Sequence, residues 1–305
     1  MQLETIDQSV SQNETRGDMA AMTPSELDVV GAPPTSEAPC ATCSGAGAAM
    51  PVSYVYSLGR IEARFPRLSV EKEFAQATGR ADTAQQTDQE AFYKVLSKPE
   101  NRYLARQLCW LLTVQGLETY IVQPRDPRDF DRLVEAIRPH PSSKDLDVVI
   151  GMRGPIAPPE FCNGLMLPIL VFDQVYSFDR DSLIKAIPRP EKMTEKQFEA
   201  AAVEVLDRIL QMTDNAGATD DHRALNYLAV RYPGIYAKTA EEFARDSSLT
   251  GVDVLPSPLS GARKIVEVIF SYTNRNTDFT EKFCVRCDMT EEFPFLVTKL
   301  SPHYR

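Results

Sequence analysis

The pattern of apolar residues changes at Val52, and this change constrains the fold more than any other feature of the sequence. From residue 52 onward, runs of alternating apolar residues and runs with helical spacing follow one another without an intervening linker. Alternation is typical of a strand packed on one face, and helical spacing is typical of an amphipathic helix. Because both kinds of run share one uninterrupted stretch, we expect a single α+β domain over residues 51–305.

The individual runs predict the order of the elements. The predicted strands are residues 52–58, 119–122, 146–151 and 167–178. The predicted helices are residues 70–77, 87–96, 103–112, 129–137, 181–186, 194–212 and one that begins after Thr219. Three further runs, residues 264–272, 281–289 and 295–300, are separated by turn residues. The expected fold is therefore α+β, a mixed sheet with flanking helices and a C-terminal antiparallel β-meander.

Residues 1–50 differ from the rest of the chain. They are rich in Ser, Thr, Ala, Pro, Glu and Gly, and they contain few large apolar side chains. Such a composition buries too little apolar surface to offset the entropy of ordering the chain. We expect a flexible segment here, ending in the C-x-x-C turn of Cys40 and Cys43.

Charge and hydropathy argue against two classes of partner. The 33 Lys and Arg residues are outnumbered by 43 Asp and Glu, which gives a formal net charge of −10 without a basic cluster. This charge repels a nucleic-acid backbone. The longest apolar stretch, residues 165–172, is far shorter than the ~20 residues of a membrane-spanning helix. The N-terminus also lacks the pattern of a secretory signal, so a cytoplasmic protein with six reduced cysteines is expected.

The cysteine spacing suggests a structural zinc site. Cys40 and Cys43 resemble half of a zinc knuckle, although two exposed cysteines in a tail or a redox dithiol remain alternatives. A closed tetrahedral site needs two more ligands, for which Cys162, Cys284 and Cys287 are the candidates. Cys284 and Cys287 are three residues apart on one predicted strand, and residues at this spacing point to opposite faces. The sequence therefore favours Cys162 with one of the other two, while Cys109, among leucines of the predicted helix 103–112, is expected in the core.

A loop dense in Gly and Pro follows the predicted strand 146–151. A rigid loop of this kind is suited to form the rim of a pocket, where Arg153 is available for a carboxylate and Glu160 lies nearby. Arg153 and Glu160 are thus candidate peptide-binding residues, and with Cys162 they form the alternative, catalytic site. The sequence contains no dinucleotide-binding, phosphate-loop, zinc-protease or nucleophile-elbow motif.

Several long segments resemble the C-terminal domain of PatA/PatG-type cyanobactin maturation proteases. They include residues 54–65 (YVYSLGRIEARF), 151–165 (GMRGPIAPPEFCNGL), 172–190 (FDQVYSFDRDSLIKAIPRP) and 212–232 (MTDNAGATDDHRALNYLAVRY). The resemblance extends over about residues 40–305. It implies a compact α+β domain that accompanies peptide macrocyclisation and whose own role is unassigned.

The resemblance also limits the expected function. In that family a subtilisin-like domain lies upstream, whereas about 50 residues precede the matching part of this sequence. We therefore expect an accessory or scaffold protein without protease activity, which binds a precursor peptide or another maturation enzyme. A homo-oligomer is a further possible assembly. The alternative is a peptide-modifying enzyme of unrecognised type.

Overall fold

The computed structural model describes residues 52–78, 87–139, 145–187, 194–212 and 214–304. Its strands are β1 (Tyr54–Arg64), β2 (Cys109–Val114), β3 (Leu117–Pro124), β4 (Leu146–Ile156), β5 (Pro168–Phe178), β6 (Ser247–Pro256), β7 (Ile265–Asn274), β8 (Thr280–Asp288), β9 (Phe295–Leu296) and β10 (Ser301–Pro302). Its helices are α1 (Leu68–Thr78), α2 (Asp88–Leu96), α3 (Arg102–Ala105), α4 (Phe130–Ala136), α5 (Arg180–Ala186), α6 (Glu195–Leu210), α7 (Asp220–Arg231) and α8 (Gly234–Phe243). The predicted α+β class is confirmed.

The first sheet closes into a barrel in the strand order β1-β2-β3-β5-β4. All neighbours are antiparallel except the parallel pair β3 and β5, which makes the sheet mixed as predicted. Side chains alternate along β1: Val55 and Ile61 join the cluster inside the barrel, and Tyr56 and Leu58 join the cluster outside it. The closure itself has no counterpart in the sequence pattern.

Two features let the barrel strands approach one another. A Cβ atom on Gly151 of β4 would lie 2.2 Å from the carbonyl oxygen of Val171, so no larger residue fits there. Asp147 of β4 is buried, and its carboxylate accepts hydrogen bonds from the backbone N–H of Ile61 at 2.7 Å and from the Ser177 hydroxyl. The buried carboxylate therefore links β4 to both of its neighbours.

The second sheet has the order β10-β8-β7-β6, with β9 paired to β8. Its antiparallel pairing confirms the C-terminal meander, but the sequence interpretation missed β6. A large apolar core lies between this sheet, the helices α5 to α8 and the outer face of the barrel. None of the helices in the described ranges has the length and apolar character needed to cross a bilayer.

The structure corrects the predicted helix at residues 103–112. Helix α3 ends at Ala105, and Cys109 begins strand β2. The run CWLLTV is apolar on both faces, so its spacing alone does not distinguish a buried strand from a helix. Pairing with β1 and β3 on either side selects the strand, and the indole N–H of Trp110 donates to the Ala105 carbonyl at 2.8 Å.

Candidate functional site

A groove of about 1090 Å³ lies between the end of β1 and the helices α1 and α2. Its floor is formed by Phe65, Phe74 and Phe92, whose ring centroids lie 4.9 to 5.3 Å apart in every pair. The three rings contact one another, and because Phe74 and Phe92 are buried, only a small part of this apolar surface reaches the groove. The groove therefore offers a small preformed apolar surface.

Local sequence signals position these three rings. Phe65 directly follows β1, and Phe74 lies on the inward face of α1. Thr87 begins α2 with a capping box, because its side chain accepts from the Glu90 backbone N–H while the Glu90 carboxylate accepts from the Thr87 N–H. The cap fixes the residue at which α2 starts, and this determines the face of α2 on which Phe92 lies.

Among the described residues, the rim of the groove carries more negative than positive charge. Glu62, Glu71 and Asp88 line it, and Arg64 is the cation among its described lining residues. The Arg64 guanidinium is already shared between Glu62, at 3.6 Å, and Glu118. The rim is thus complementary to a cationic ligand.

The loop that the sequence singled out contributes one residue to this groove. Asn163 lines it, whereas Arg153 and Glu160 line neither this groove nor the cavity of about 940 Å³ beside α6. Arg153 is exposed on β4, where its backbone N–H donates to the Ser53 carbonyl at 2.8 Å. Glu160 is exposed in the turn that follows. Neither of these two cavities brings Arg153 and Glu160 together with Cys162, so a shared cleft of the three residues stays a prediction.

Cys162 has a different partner from the one expected. It forms a disulfide with Cys109, and the two Cα atoms are 5.6 Å apart. The prediction that all six cysteines are reduced is therefore wrong for these two. The bond fastens the loop after β4 to the start of β2. Beneath the loop lies a small apolar cluster, which also contains Leu111 and Ile121 on the outer face of the barrel. The disulfide therefore holds this loop over apolar surface.

Cys284 and Cys287, the other two candidate zinc ligands, lie on opposite faces of β8, as strand alternation predicts. Cys287 belongs to the apolar core, whereas Cys284, also buried, does not. Burial raises the pKa of the Cys287 thiol to about 12, which disfavours the thiolate that binds metal. Within the described ranges no group of three or more His, Cys, Asp or Glu side chains could hold a metal ion. Cys40 and Cys43 lie outside those ranges, so zinc stays a prediction that elemental analysis of the protein can test.

Sequence reasoning missed Arg223, which is 2% exposed. Its guanidinium donates to the Asp220 carboxylate at 3.0 Å and to the carbonyl oxygens of Met289, at 2.9 Å, and Glu292, at 3.1 Å. It also lies over the Tyr54 ring, 5.4 Å from its centroid. Arg223 therefore connects α7 to β1 and to the turn after β8. An arginine in the first turn of a helix gives no sequence signal of such burial.

The Glu292 carboxyl interacts with Arg223 and with the carboxylate of Asp173. Burial, the hydrogen bond to Asp173 and the negative charge of Asp173 raise the pKa of Glu292 to about 7, while Arg125 and Arg223 oppose the shift. Arg125 forms an ion pair with Asp173 at 2.8 Å. The Asp173 and Glu292 pair joins β5 of the barrel to the turn of the second sheet, and Glu292 holds its proton up to near-neutral pH.

This raised pKa predicts a pH dependence of stability. The folded state binds the Glu292 proton more tightly than the unfolded state, whose pKa is near 4.5. The stabilisation is therefore complete below pH ~4.5 and is lost as the pH rises through ~7. A Glu292→Gln variant stays neutral and should lose less stability than the natural chain over this interval. Urea unfolding at pH values from 4.5 to 8 measures the difference.

The matched control is Glu291→Gln, which changes an exposed neighbour. This variant should retain the natural pH profile. Identical profiles for Glu292→Gln and the natural chain would contradict the assignment of the titration to Glu292.

The comparisons with known proteins agree with this architecture. Residues 192–303 match the family described as PatG C-terminal. Among solved structures, the chain is similar to one described as "PatG Domain of Unknown Function", with a TM-score of 0.67 and 19% sequence identity. The alignment covers 82% of this chain and 98% of that one, and at this identity it shows a shared fold. No curated protein matches significantly. Residues 192–303 are therefore similar to the PatG C-terminal family, and the chain shares its fold with the solved PatG domain.

Proposed function

We propose that this chain is a non-proteolytic peptide-binding module that assists the maturation of a ribosomally made, cyanobactin-like peptide. The groove between β1, α1 and α2 is the observation that carries this proposal. Its volume of about 1090 Å³ exceeds the roughly 300–1,000 Å³ of pockets that enclose small molecules. Its aromatic floor fits an apolar side chain, and its acidic rim fits positive charge on either side.

The chemistry of the groove suggests binding and not catalysis. Among its described lining residues, the ionisable side chains are carboxylates and Arg64, and cysteine and histidine are absent. His222 does not line the groove; it lies in the first turn of α7, where its backbone N–H donates to the Thr219 hydroxyl at 3.2 Å. We therefore favour recognition of a precursor peptide over its chemical modification.

A variant that fills the groove tests the proposal. Ala75 is exposed on α1 and lines the groove, so Ala75→Trp should block it without disturbing the core. The probe is a fluorescent synthetic peptide with the core Lys-Leu-Phe-Leu-Lys, and fluorescence anisotropy measures its affinity. We expect at least a tenfold loss of affinity, which corresponds to about 1.4 kcal/mol.

Two controls make the result specific. Lys72→Trp adds the same side chain to an exposed position of α1 that does not line the groove, and it should bind as the natural chain does. A twin peptide with Glu in place of Lys should bind weakly, because the rim is acidic. Equal binding of both peptides, or equal affinity of the two tryptophan variants, would rule out this groove as the site.

A further inference from the structure

Strand β6 forms one edge of the second sheet. It pairs with β7 on one side, and no strand in the described part of the chain pairs with its other side. An edge strand presents main-chain N–H and C=O groups that can pair with another strand. The question is which of these groups point outward and what surrounds them.

The register of the sheet identifies the outward groups. Ser257 donates its backbone N–H to the Ile265 carbonyl at 2.8 Å, which makes these two residues a hydrogen-bonded pair. In an antiparallel ladder hydrogen-bonded and non-hydrogen-bonded pairs alternate. Val252 and Val254 therefore direct both their N–H and C=O groups away from β7, and Pro256 directs its C=O the same way.

Two features limit the available edge. The register shifts between Leu249 and Gly251, and Pro256, which has no N–H, ends the strand. A bulge and a proline are common ways of shortening an edge against unspecific pairing. The open ladder is therefore restricted to Val252 through Pro256, a length suited to a short extended segment and not to a long strand.

Side chains beside this edge add selectivity. The cavity of about 940 Å³ is lined by the apolar side chains of Val252, Ala200, Val203 and Met212 and by four polar ones from α6 and its end, Glu204, Asp207, Arg208 and Gln211. On the opposite face of β6, Asp253 is exposed, and no described cation forms an ion pair with it. The acidic side chains of α6 differ from Asp253 in having cationic partners: Asp207 is paired with Arg180 at 2.6 Å, and Glu204 lies 4.0 Å from Arg208.

We propose that the β6 edge from Val252 to Pro256 binds a short extended peptide segment of another protein by strand addition. The segment would pair its main chain with Val252 and Val254, place small apolar side chains toward the cavity, and place a basic side chain opposite Asp253. Main-chain pairing supplies affinity and the alternate side chains supply specificity. This surface is separate from the groove at α1 and α2, so the inference goes beyond the proposed function.

A second copy of this chain fits the edge less well. Two β6 strands paired about Asp253 would place like charges directly opposite each other, which is destabilising. The net charge of −10 opposes self-association in general. A partner with positive charge is therefore the occupant to test.

The probe is a capped, fluorescein-labelled peptide of alternating valine and lysine. Its valines should face Val252 and Val254, so the N–H groups of those valines bond to β6 while the lysine N–H groups point away. N-methylation of the valines should abolish binding, and N-methylation of the lysines should leave it unchanged. Equal effects of the two modifications would overturn main-chain pairing at this edge.

Hydrogen exchange locates the complex independently of any variant. The peptide should slow exchange of the Val252 and Val254 amides by about tenfold or more, because each gains a hydrogen-bond acceptor. If the peptide slows exchange only in other strands, the proposal is overturned. It is also overturned if the Val252 and Val254 amides are already protected without peptide and light scattering shows that the protein is a dimer.

A variant of the chain completes the test. Val254→Pro removes one outward N–H and should weaken peptide binding by about tenfold or more, whereas Ala75→Trp should leave it unchanged. Near-ultraviolet circular dichroism shows whether Val254→Pro disturbs folding. If it does, the two methylated peptides still test main-chain pairing with the natural chain. Unchanged binding by a folded Val254→Pro protein contradicts the proposal without affecting the groove.

Discussion

Replacing Arg223 with alanine should lower the free energy of unfolding by about 2–5 kcal/mol, because each buried acceptor left without its donor costs about 1–3 kcal/mol. The guanidinium is buried and donates to the carbonyl oxygens of Met289 and Glu292, so its removal leaves these acceptors without their donor. Asp220 also loses its partner at 3.0 Å. Denaturant unfolding followed by circular dichroism measures the loss.

Arg208→Ala is the matched control, because Arg208 is exposed and lies 4.0 Å from Glu204. Surface ion pairs contribute little, so we expect a change within about 0.5 kcal/mol. A loss of similar size in the two variants would show that Arg223 does not hold the turn after β8 to α7.

The second large effect concerns the disulfide. A Cys109→Ser/Cys162→Ser variant should be less stable by about 2–4 kcal/mol, the typical contribution of a disulfide. The two residues are 53 positions apart, and a cross-link over such a separation removes much conformational freedom from the unfolded chain. The loop after β4 should also cover Leu111 and Ile121 less tightly.

Reductant provides the control for this prediction. It should destabilise the natural chain by a similar amount and leave the double variant unchanged. Mass spectrometry after alkylation of the unfolded, unreduced protein should show no label at Cys109 and Cys162. Full labelling of both residues, or a reductant effect on the double variant, would show that the bond does not account for the difference in stability.

Local patterns predicted those elements whose character is set by their own residues. Helix α2 starts with a capping box at Thr87, as the sequence predicted, and α6 starts directly after Thr194, the predicted first residue of that helix. The alternation in β8 correctly separated Cys284 from Cys287. The run from Cys109 to Val114 was assigned to a helix because an entirely apolar run satisfies both periods, and only pairing with β1 and β3 makes it a strand.

The candidate site was less predictable, because it also depends on contacts between residues that are distant in the sequence. The sequence pointed to the loop after β4, yet Asn163 is the residue of this loop that lines the groove, and Cys162 is bonded to Cys109. Phe74 and Phe92 lie on two different helices, and Phe65 directly follows β1. A groove arises from the distances between elements, which no local pattern records.

The sequence by itself determined the α+β class, the C-terminal meander and the resemblance that the family match over residues 192–303 confirms. These properties follow from periodicity, capping residues and long matching segments, all of which are local. Tertiary structure alone decided the closure of the barrel, the burial of Arg223, the Asp173 and Glu292 pair and the open edge of β6. Each of these depends on which distant residues meet, because burial and hydrogen-bond partners are set by packing between elements and not by the residue itself.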